Sequence, residues 1–296
     1  ATVRNIKKAK DIFSNVSECG NLDLVEWNLD SEITCPFADI DYAVHTAAMT
    51  SSKDMVVKPV EVMATTFDGT LFFLEFLKTL PQLKKAVVLS SLEVYGVFNN
   101  IFGAIEEHQY GYLDILSVRS SYPMAKRAME CLAKAFAVEY NIPVCIARLA
   151  QTFGVGVDYN DSRVFAEFAR CVVAKKDIIL RTEGKTERNY CALSDAVRAI
   201  ISLLSGGIVG DAYNVAGSDT YSSIFEMANI FAAFSNNSSN VIIKKENASL
   251  YGYAPEMKIK LDTQKLASLG FCSKTNLQGM VRETIEWFEA LQKERI

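Results

Sequence analysis

The sequence is poor in histidine and in tryptophan, and it has no large excess of charge of either sign. His45 and His108 are its histidines, and the formal net charge is −4. A histidine-rich metal site is therefore not expected. No basic stripe with interleaved aromatic residues is present, which argues against nucleic-acid binding. No segment approaches the roughly 18 uninterrupted apolar residues that a membrane helix needs, so we expect no association with a membrane.

The cysteines lack the spacings that mark a metal site or a disulfide framework. There are seven, an odd number, and no pair follows the C-x-x-C pattern. Scattered cysteines of this kind indicate reduced thiols. We therefore expect a cytoplasmic protein. The cysteines lie at positions 19, 35, 131, 145, 171, 191 and 272.

Apolar strands alternate with amphipathic helices in the first half of the chain. Half of the 296 residues are apolar, which is enough for a large core. The alternation predicts an α/β fold with a doubly wound parallel sheet and ligands at the carboxyl ends of its strands. The pattern predicts strands over 22–27, 42–45, 86–90 and 144–148, and helices over 59–80 and 121–140.

The main candidate for chemistry is a tyrosine and a lysine four residues apart. Tyr122 and Lys126 share one face of the predicted helix over 121–140. The Lys126 ammonium is expected to lower the pKa of Tyr122 from its ordinary value near 10 towards neutrality. Ser91, at the end of a predicted strand, could hydrogen-bond the substrate oxygen that the phenolate deprotonates. The set predicts oxidation of a sugar or alcohol carbon, although an isolated Y-x-x-x-K also occurs by chance on surface helices.

Further motifs extend this pair over nearly the whole chain. The strand ending in Ser90 and Ser91, the Val-Tyr-Gly after it and the helix with Tyr122 and Lys126 resemble the extended short-chain dehydrogenase/reductase family. The resemblance is to its NAD-dependent nucleotide-sugar epimerases and dehydratases. It implies a Rossmann sheet, a smaller C-terminal substrate lobe and a homodimer formed through the two long helices. The other matching segments are 41–48, 68–70, 148–154, 188–190 with 195, 213–215 and 261–270.

The resemblance also implies a division of the chain into two units. Residues 1–150, joined by 189–217, would form the dinucleotide-binding domain. Residues 151–188 and 218–296 would form the substrate-binding lobe.

Several positions are implied to contact the coenzyme. Asn28 and Leu29 stand where the family has an acidic residue and an aliphatic residue against adenine. Lys126, besides acting on Tyr122, is expected to bind the nicotinamide ribose. The positions implied on the pyrophosphate and nicotinamide side are Ala47, Ala48 and Met49, and Thr66 takes a coenzyme-binding position that the family often fills with asparagine.

The choice between NAD and NADP rests on Arg4, which follows the strand that would meet the adenosine ribose. An acidic residue there would accept from a ribose 2′-hydroxyl, whereas a guanidinium suits a 2′-phosphate. Arg4 is equally well explained as an exposed residue in a basic turn with Lys7 and Lys8. NAD is the first choice because redox-neutral members of the family recycle it, and NADP is the alternative.

The chain lacks the glycine-rich loop that should open such a fold. Its first glycine is Gly20, whereas a G-x-x-G-x-x-G turn after the first strand lets the backbone approach the pyrophosphate. The segment 1–5 resembles the second strand of the fold instead. We therefore expect that about 30 to 40 residues, one strand, loop and helix, belong upstream. The alternative is a truncated relative that has lost activity.

For the substrate, the resemblance implies a nucleotide-diphosphate sugar. Gln151 takes the place of an asparagine that contacts the diphosphate, and Arg188 that of a phosphate-binding arginine. An arginine fork offers paired donors to a diphosphate. The alternative for Arg188 is a surface ion pair with Glu187 or Glu183.

The reaction depends most on Glu93. Dehydrating relatives carry Thr-Asp-Glu and decarboxylating relatives Thr-Ser-Glu where this chain has Ser91-Leu92-Glu93. A carboxylate at Glu93 could remove a proton next to a keto group, whereas Leu92 cannot donate one. The segment therefore disfavours 4,6-dehydration and leaves epimerisation or decarboxylation open. Glu93 could equally point away from the site and cap a backbone group.

Two other functional classes remain open at this level. One is an NADP-dependent keto-sugar reductase, which would consume coenzyme in bulk. The other is a truncated, non-catalytic protein that binds a nucleotide sugar.

Overall fold

The computed structural model describes residues 1–14, 22–28, 31–33, 37, 39–98, 103–235, 238–246 and 256–293. Cys19, Cys35 and Leu29 lie outside the described residues. The five described cysteines are free thiols.

A four-stranded parallel sheet takes three of its strands from the first half of the chain and one from the second. Its order is β10-β5-β4-β3, and each neighbouring pair is parallel. The predicted α/β fold with a parallel sheet is therefore confirmed. The sheet strands are β3 (Tyr42–His45), β4 (Lys85–Ser91), β5 (Val144–Leu149) and β10 (Ala212–Val215).

Two strands near the start of the chain form a separate parallel pair. β1 (Thr2–Val3) pairs with β2 (Val25–Glu26). Within the described residues, neither strand is hydrogen-bonded to β3. The strand predicted over 22–27 is thus two residues long, although the Trp27 amide still donates to the Val3 carbonyl at 3.0 Å.

The shorter strands lie in three small sheets of the second half. Their orders are β11-β8-β13, β12-β7 and β6-β9. The strands are β6 (Gln151–Phe153), β7 (Ile178–Leu180), β8 (Glu187–Arg188), β9 (Tyr190–Ala192), β11 (Ser222–Ser223), β12 (Val241–Ile243) and β13 (Lys258–Ile259).

The two long predicted helices are present and end slightly earlier than predicted. The first starts at a proline in its first turn, where the missing N–H costs nothing. The second buries residues at helical spacing against the first and against the sheet. The helices are α1 (Ile6–Ile12), α2 (Asp54–Val57), α3 (Pro59–Leu77), α4 (Ser121–Glu139), α5 (Val164–Val173), α6 (Leu193–Gly206), α7 (Ile224–Ala233), α8 (Gln264–Ala267) and α9 (Leu277–Lys293).

Both faces of the central sheet are covered. Ala86 and Val88 of β4 face α3 and α4, whereas Val87 faces the side of α6. This alternation explains why β4 is apolar without interruption, as buried parallel strands are. A further core joins α5, α7 and α9 in the second half. Among the described helices, none is both long and apolar enough to cross a bilayer.

The predicted homodimer through α3 and α4 stays a prediction. Its physical basis is that α3 leaves Val60, Met63 and Phe67 exposed on one side.

Candidate active site

The candidate site lies at the carboxyl end of β4, where the strand passes into a 3₁₀ turn at Leu92–Tyr95. Ser91 is the last residue of the strand, and its Oγ accepts a hydrogen bond from the Glu93 amide at 3.2 Å. The Ser91 side chain also lies near the phenol of Tyr122 in the first turn of α4 and acts to lower the pKa of that phenol. Strand and helix therefore bring Ser91 and Tyr122 together, as the motif suggested.

Lys126 follows Tyr122 by one turn on the same face of α4. Its Nζ lies 5.9 Å from the centre of the Tyr122 ring and donates to the Leu89 carbonyl at 2.6 Å. Lys126 is 3 % exposed. Burial lowers the pKa of Lys126 to about 8, against a smaller opposing effect of Glu130.

The expectation that Lys126 lowers the pKa of Tyr122 is wrong for the protein alone. Burial, followed by the negative charge of Glu93, raises the pKa of Tyr122 well above its ordinary value. The Ser91 side chain and the charges of Arg119 and Arg163 act in the opposite direction but do not outweigh burial. A buried phenol resists ionisation unless a further positive charge comes close to it.

Glu93 forms a two-point ion pair with Arg119. Arg119 Nη1 donates to Oε2 at 3.0 Å and Nη2 donates to Oε1 at 3.1 Å. The side chains are 17 % and 13 % exposed. The alternative in which Glu93 caps a backbone group is not what the structure has, because its two oxygens face the guanidinium and its charge acts on Tyr122.

A second arginine acts on Tyr122 from the segment before α5. Arg163 is held by Asp161, with Nη2 donating to Oδ2 at 2.6 Å, and its guanidinium lies 4.8 Å from the Phe165 ring. A cavity of about 320 Å³ opens beside it. Thr50 and Ser51 line one side of the cavity, and the segment from Asp158 to Arg163 lines the other.

The residues expected near nicotinamide follow β3. Ala47, Ala48 and Met49 are half-buried, and Met49 packs against a buried cluster that contains Tyr122. Thr66 on α3 is buried, and its hydroxyl oxygen has no hydrogen-bond partner. Such an orphaned polar atom fits a ligand that would supply the missing bond.

The residues expected at the adenosine end lie apart from this cluster. Arg4 follows β1 and Asn28 follows β2, and both are exposed. Their roles towards a coenzyme stay predictions, and Leu29 lies outside the described residues.

The two residues expected to bind substrate also carry orphaned atoms. Gln151 Oε1 and Arg188 Nε are buried without a hydrogen-bond partner. The ion pair proposed as an alternative for Arg188 is not what the structure has. Glu183 pairs with Lys185 and Lys245. The Glu187 carboxylate forms an ion pair with Lys258, with Nζ and Oε1 2.6 Å apart.

Sequence reasoning missed three residues near the site. Arg163 is an arginine just before a helix, a position with no spacing signal that would have shown it. Glu130 could have been found, since it continues the four-residue spacing of Tyr122 and Lys126 on α4. Ser90 was noted only as the partner of Ser91.

The described residues contain no cluster of three or more His, Cys, Asp or Glu side chains that could hold a metal ion.

Curated relatives have related activities at low identity. A UDP-N-acetyl-alpha-D-glucosaminuronate decarboxylase of Bacillus cytotoxicus is 28 % identical over 257 residues, covering 86 % of this chain and 78 % of that protein. A trifunctional UDP-glucose 4,6-dehydratase/UDP-4-keto-6-deoxy-D-glucose 3,5-epimerase/UDP-4-keto-L-rhamnose-reductase of Arabidopsis thaliana is 26 % identical over 286 residues. The match covers 96 % of this chain but 40 % of the length of that protein.

Solved structures show the same fold. A UDP-glucuronic acid 4-epimerase of Bacillus cereus, in complex with UDP-glucuronic acid and NAD, has a TM-score of 0.77 at 18 % identity, over 94 % of this chain and 86 % of that one. RMD of Pseudomonas aeruginosa, complexed with NADPH, has a TM-score of 0.74 at 18 % identity, over 95 % of each chain.

The model of the NAD dependent epimerase/dehydratase family matches residues 3–216. This range contains Ser91, Glu93, Tyr122, Lys126 and Arg188. The chain therefore belongs to the NAD dependent epimerase/dehydratase family, whose members act on nucleotide sugars.

Proposed function

We propose that this protein transiently oxidises a nucleotide-diphosphate sugar with NAD and then rearranges or decarboxylates the keto-sugar. Tyr122 is the base and Ser91 orients the reacting hydroxyl. Lys126 acts on Tyr122 and binds the nicotinamide ribose. The observation that carries the proposal is the meeting of Ser91 and Tyr122 at the end of β4, with Lys126 one turn further along α4.

The residues fit a dinucleotide at its nicotinamide half. Thr66 offers an orphaned buried hydroxyl, Lys126 offers an ammonium, and Met49 packs beside Tyr122. A bound coenzyme would supply a hydride acceptor for the sugar carbon, and the positive charge that a buried phenol needs to ionise.

In the first step Tyr122 removes the proton of the sugar hydroxyl as the carbon of that hydroxyl loses a hydride. Ser91 donates a hydrogen bond to the same oxygen and keeps it directed at the phenolate. Return of the proton from Tyr122 and of the hydride completes the cycle, so no coenzyme is consumed.

Between oxidation and reduction, the keto-sugar itself is rearranged or decarboxylated. The charge of Glu93 acts on Tyr122, and we assign to Glu93 a role towards the same substrate, whereas Leu92 is buried and apolar. A 4,6-dehydration needs a proton donor for the departing hydroxyl, so Leu92 disfavours it. Epimerisation and loss of carbon dioxide need no such donor.

An acidic sugar is the substrate that we favour. The charges of Arg119 and Arg163 both reach Tyr122, so a carboxylate on the bound sugar would find two guanidinium groups near the reacting hydroxyl. The similar Bacillus cytotoxicus protein is described as acting on a glucosaminuronate and several Arabidopsis relatives as acting on glucuronic acid. We place the diphosphate at Gln151 and Arg188.

The test is product analysis by mass spectrometry after incubation with coenzyme and one nucleotide sugar at a time. UDP-glucuronic acid, UDP-N-acetylglucosaminuronic acid and UDP-glucose should be compared. We expect turnover of an acidic sugar, with a product that is lighter by carbon dioxide or of unchanged mass. A product lighter by one water would contradict the argument from Leu92.

Coenzyme stoichiometry separates this proposal from a reductase. We expect activity with catalytic amounts of NAD and no net change in NADH absorbance. Bulk oxidation of NADPH would favour the reductase. A non-catalytic protein would be favoured if the protein bound nucleotide sugar but the Tyr122→Phe substitution changed no reaction rate.

A further inference from the structure

Three consecutive residues at the end of β4 each make a polar contact with α4. The Leu89 carbonyl accepts from Lys126 Nζ at 2.6 Å. Ser90 Oγ donates to Glu130 Oε1 at 2.5 Å, and Ser91 lies near the phenol of Tyr122 and acts on its pKa. Two of the three partners on α4 belong to the proposed chemistry, and Glu130 is the third.

Glu130 lies four residues after Lys126, so Tyr122, Lys126 and Glu130 share one helix face. Glu130 is 6 % exposed and cannot reach solvent freely. Its carboxylate is fixed from a second side by Arg148 of β5, whose Nη2 donates at 2.6 Å and whose Nε donates at 2.9 Å. A buried carboxylate with this many donors has one orientation.

Lys126 has few other charges around it. On its own helix Tyr122 and Glu130 face it, and from β3 it meets His45, whose pKa is lowered to about 4, so that His45 is neutral near pH 7. The side chains of α3 that are buried are uncharged. From β5, Arg148 is engaged by Glu130.

Towards the cleft, the 3₁₀ turns before and after the site contribute Glu93 and Arg119, which pair with each other. Glu130 is the carboxylate that counteracts the effect of burial on Lys126.

We propose that Glu130 is a positioning residue of this site: through Ser90 it sets the register between α4 and the end of β4, and it supplies the negative charge that faces Lys126. The expected effect on kcat rests on the proposed function. The positions of the side chains and the effect of Glu130 on Lys126 can be tested without any reaction. Two separate effects of the Glu130 carboxylate are therefore expected: one on the register between α4 and β4, and one on the pKa of Lys126.

The experiment titrates the Lys126 ammonium by NMR in the full chain labelled with ¹⁵N-lysine, the signal being assigned with Lys126→Arg. In the unaltered protein we expect a midpoint near pH 8, as its lowered pKa of about 8 implies. In Glu130→Gln the midpoint should fall by about one pH unit, because burial then acts without an opposing charge. The alkaline limb of the kcat profile should move by the same amount.

Two matched variants separate charge from geometry. Ser90→Ala keeps the carboxylate but removes the register contact, so the midpoint should stay while kcat falls about tenfold with KM unchanged. Glu139→Gln, an exposed carboxylate at the end of the same helix, should change neither quantity. An unchanged midpoint in Glu130→Gln would overturn the charge role, and an unchanged kcat in Ser90→Ala would overturn the register role.

Glu130→Gln leaves Arg148 unpaired and could fail to fold. In that case the paired variant Glu130→Met with Arg148→Met replaces both ions by apolar groups of similar length. Its midpoint should fall in the same direction by a smaller amount, since the repulsion from Arg148 is removed as well. A midpoint that rises or stays would contradict the proposal. Because the NMR titration requires no substrate, it gives an answer even if Tyr122 proves not to be a catalytic base.

Discussion

Two arginine–glutamate pairs flank the reactive face of α4, and they differ in how completely they are enclosed. The side chains of Glu130 and Arg148 are 7 % and 1 % exposed, and Glu130 lies one helical turn after Lys126 on α4. Glu93 and Arg119 are 17 % and 13 % exposed and lie beside Tyr122. The first pair, the enclosed pair, is surrounded by protein donors and acceptors, whereas the second, which we call the cleft pair, acts on the residue that we propose as the base.

The partners of the first pair show what enclosure means. Arg148 also donates to the Tyr95 hydroxyl at 2.9 Å and to the Glu107 carbonyl at 2.7 Å. Tyr95 in turn donates to Asn214 Oδ1 at 2.6 Å. Every ion in this network is satisfied inside the protein, so a ligand has nothing to add there.

The comparison teaches that the same chemical pair serves two purposes according to its surroundings. In the enclosed pair, loss of one partner leaves a buried charge unpaired, so the cost appears in folding. In the cleft pair, water and substrate can replace a lost partner, so the cost should appear in the reaction.

The largest effect that distinguishes the two regions should come from their tyrosines. Tyr122→Phe removes the proposed base beside the cleft pair and should lower kcat by about 10³-fold or more with little loss of substrate binding. Tyr95→Phe makes the same change in the enclosed network and should lower stability while leaving kcat within about threefold. Steady-state kinetics together with urea unfolding check both. Equal losses of kcat in the two variants would contradict the assignment of one region to the reaction and the other to folding.

Next in size is the stability difference between the arginines. Arg148→Met should lower the free energy of unfolding by about 3 to 5 kcal/mol because Glu130 is left as an unpaired buried charge. Arg119→Met should lower it by about 1 kcal/mol. Urea unfolding at neutral pH measures both. A larger loss for Arg119→Met than for Arg148→Met would contradict the assignment of the enclosed pair to folding.

A smaller effect concerns turnover in the cleft pair. Arg119→Met should reduce kcat about tenfold, because the uncompensated Glu93 carboxylate disfavours the Tyr122 phenolate. A double-mutant cycle with Glu93→Gln measures the coupling. The loss of kcat in the double variant, expressed as a free energy, should be smaller than the sum of the losses in the two single variants. Strict additivity would show that the two side chains act independently.

The smallest effect should arise away from both pairs, at the proposed diphosphate site. Arg188→Lys keeps the charge but loses the planar fork, and should raise KM about tenfold with kcat unchanged. Arg181→Lys is the control, since Arg181 pairs with Glu167 at 3.1 Å rather than carrying an orphaned buried donor. If both variants raise KM equally, Arg188 has no special role towards the diphosphate.

The parallel sheet and the two long helices could be predicted because their signals are local. The uninterrupted apolar run of β4 and the helical spacing of α4 are visible in the sequence. Helix ends were less accurate, since the last turns of α3 and α4 depend on the contacts made there. The strand over 22–27 was overestimated because apolar character alone does not decide how many residues pair with the neighbouring strand, and β1 is two residues long.

The reactive set could be predicted in identity but not in its electrostatics. Spacing places Tyr122 and Lys126 on one face, but the pKa of Tyr122 depends on what covers the phenol. Residues distant in sequence cover it, and their burial effect exceeds that of the charges nearby. The pairing of Glu93 with Arg119 escaped prediction for the same reason, because a turn had to bring the two side chains together.

The sequence by itself determined the order of strands and helices, the membership of Tyr122 and Lys126 in one helix face, and the family to which the chain belongs. These depend on residue spacing along the chain, which folding does not alter. Only the tertiary structure decided that Tyr122 is shielded from water, that Arg163 acts on it and that Ser90 and Arg148 hold Glu130. Burial and charge separation are properties of three-dimensional distance, and residues far apart in the chain set them.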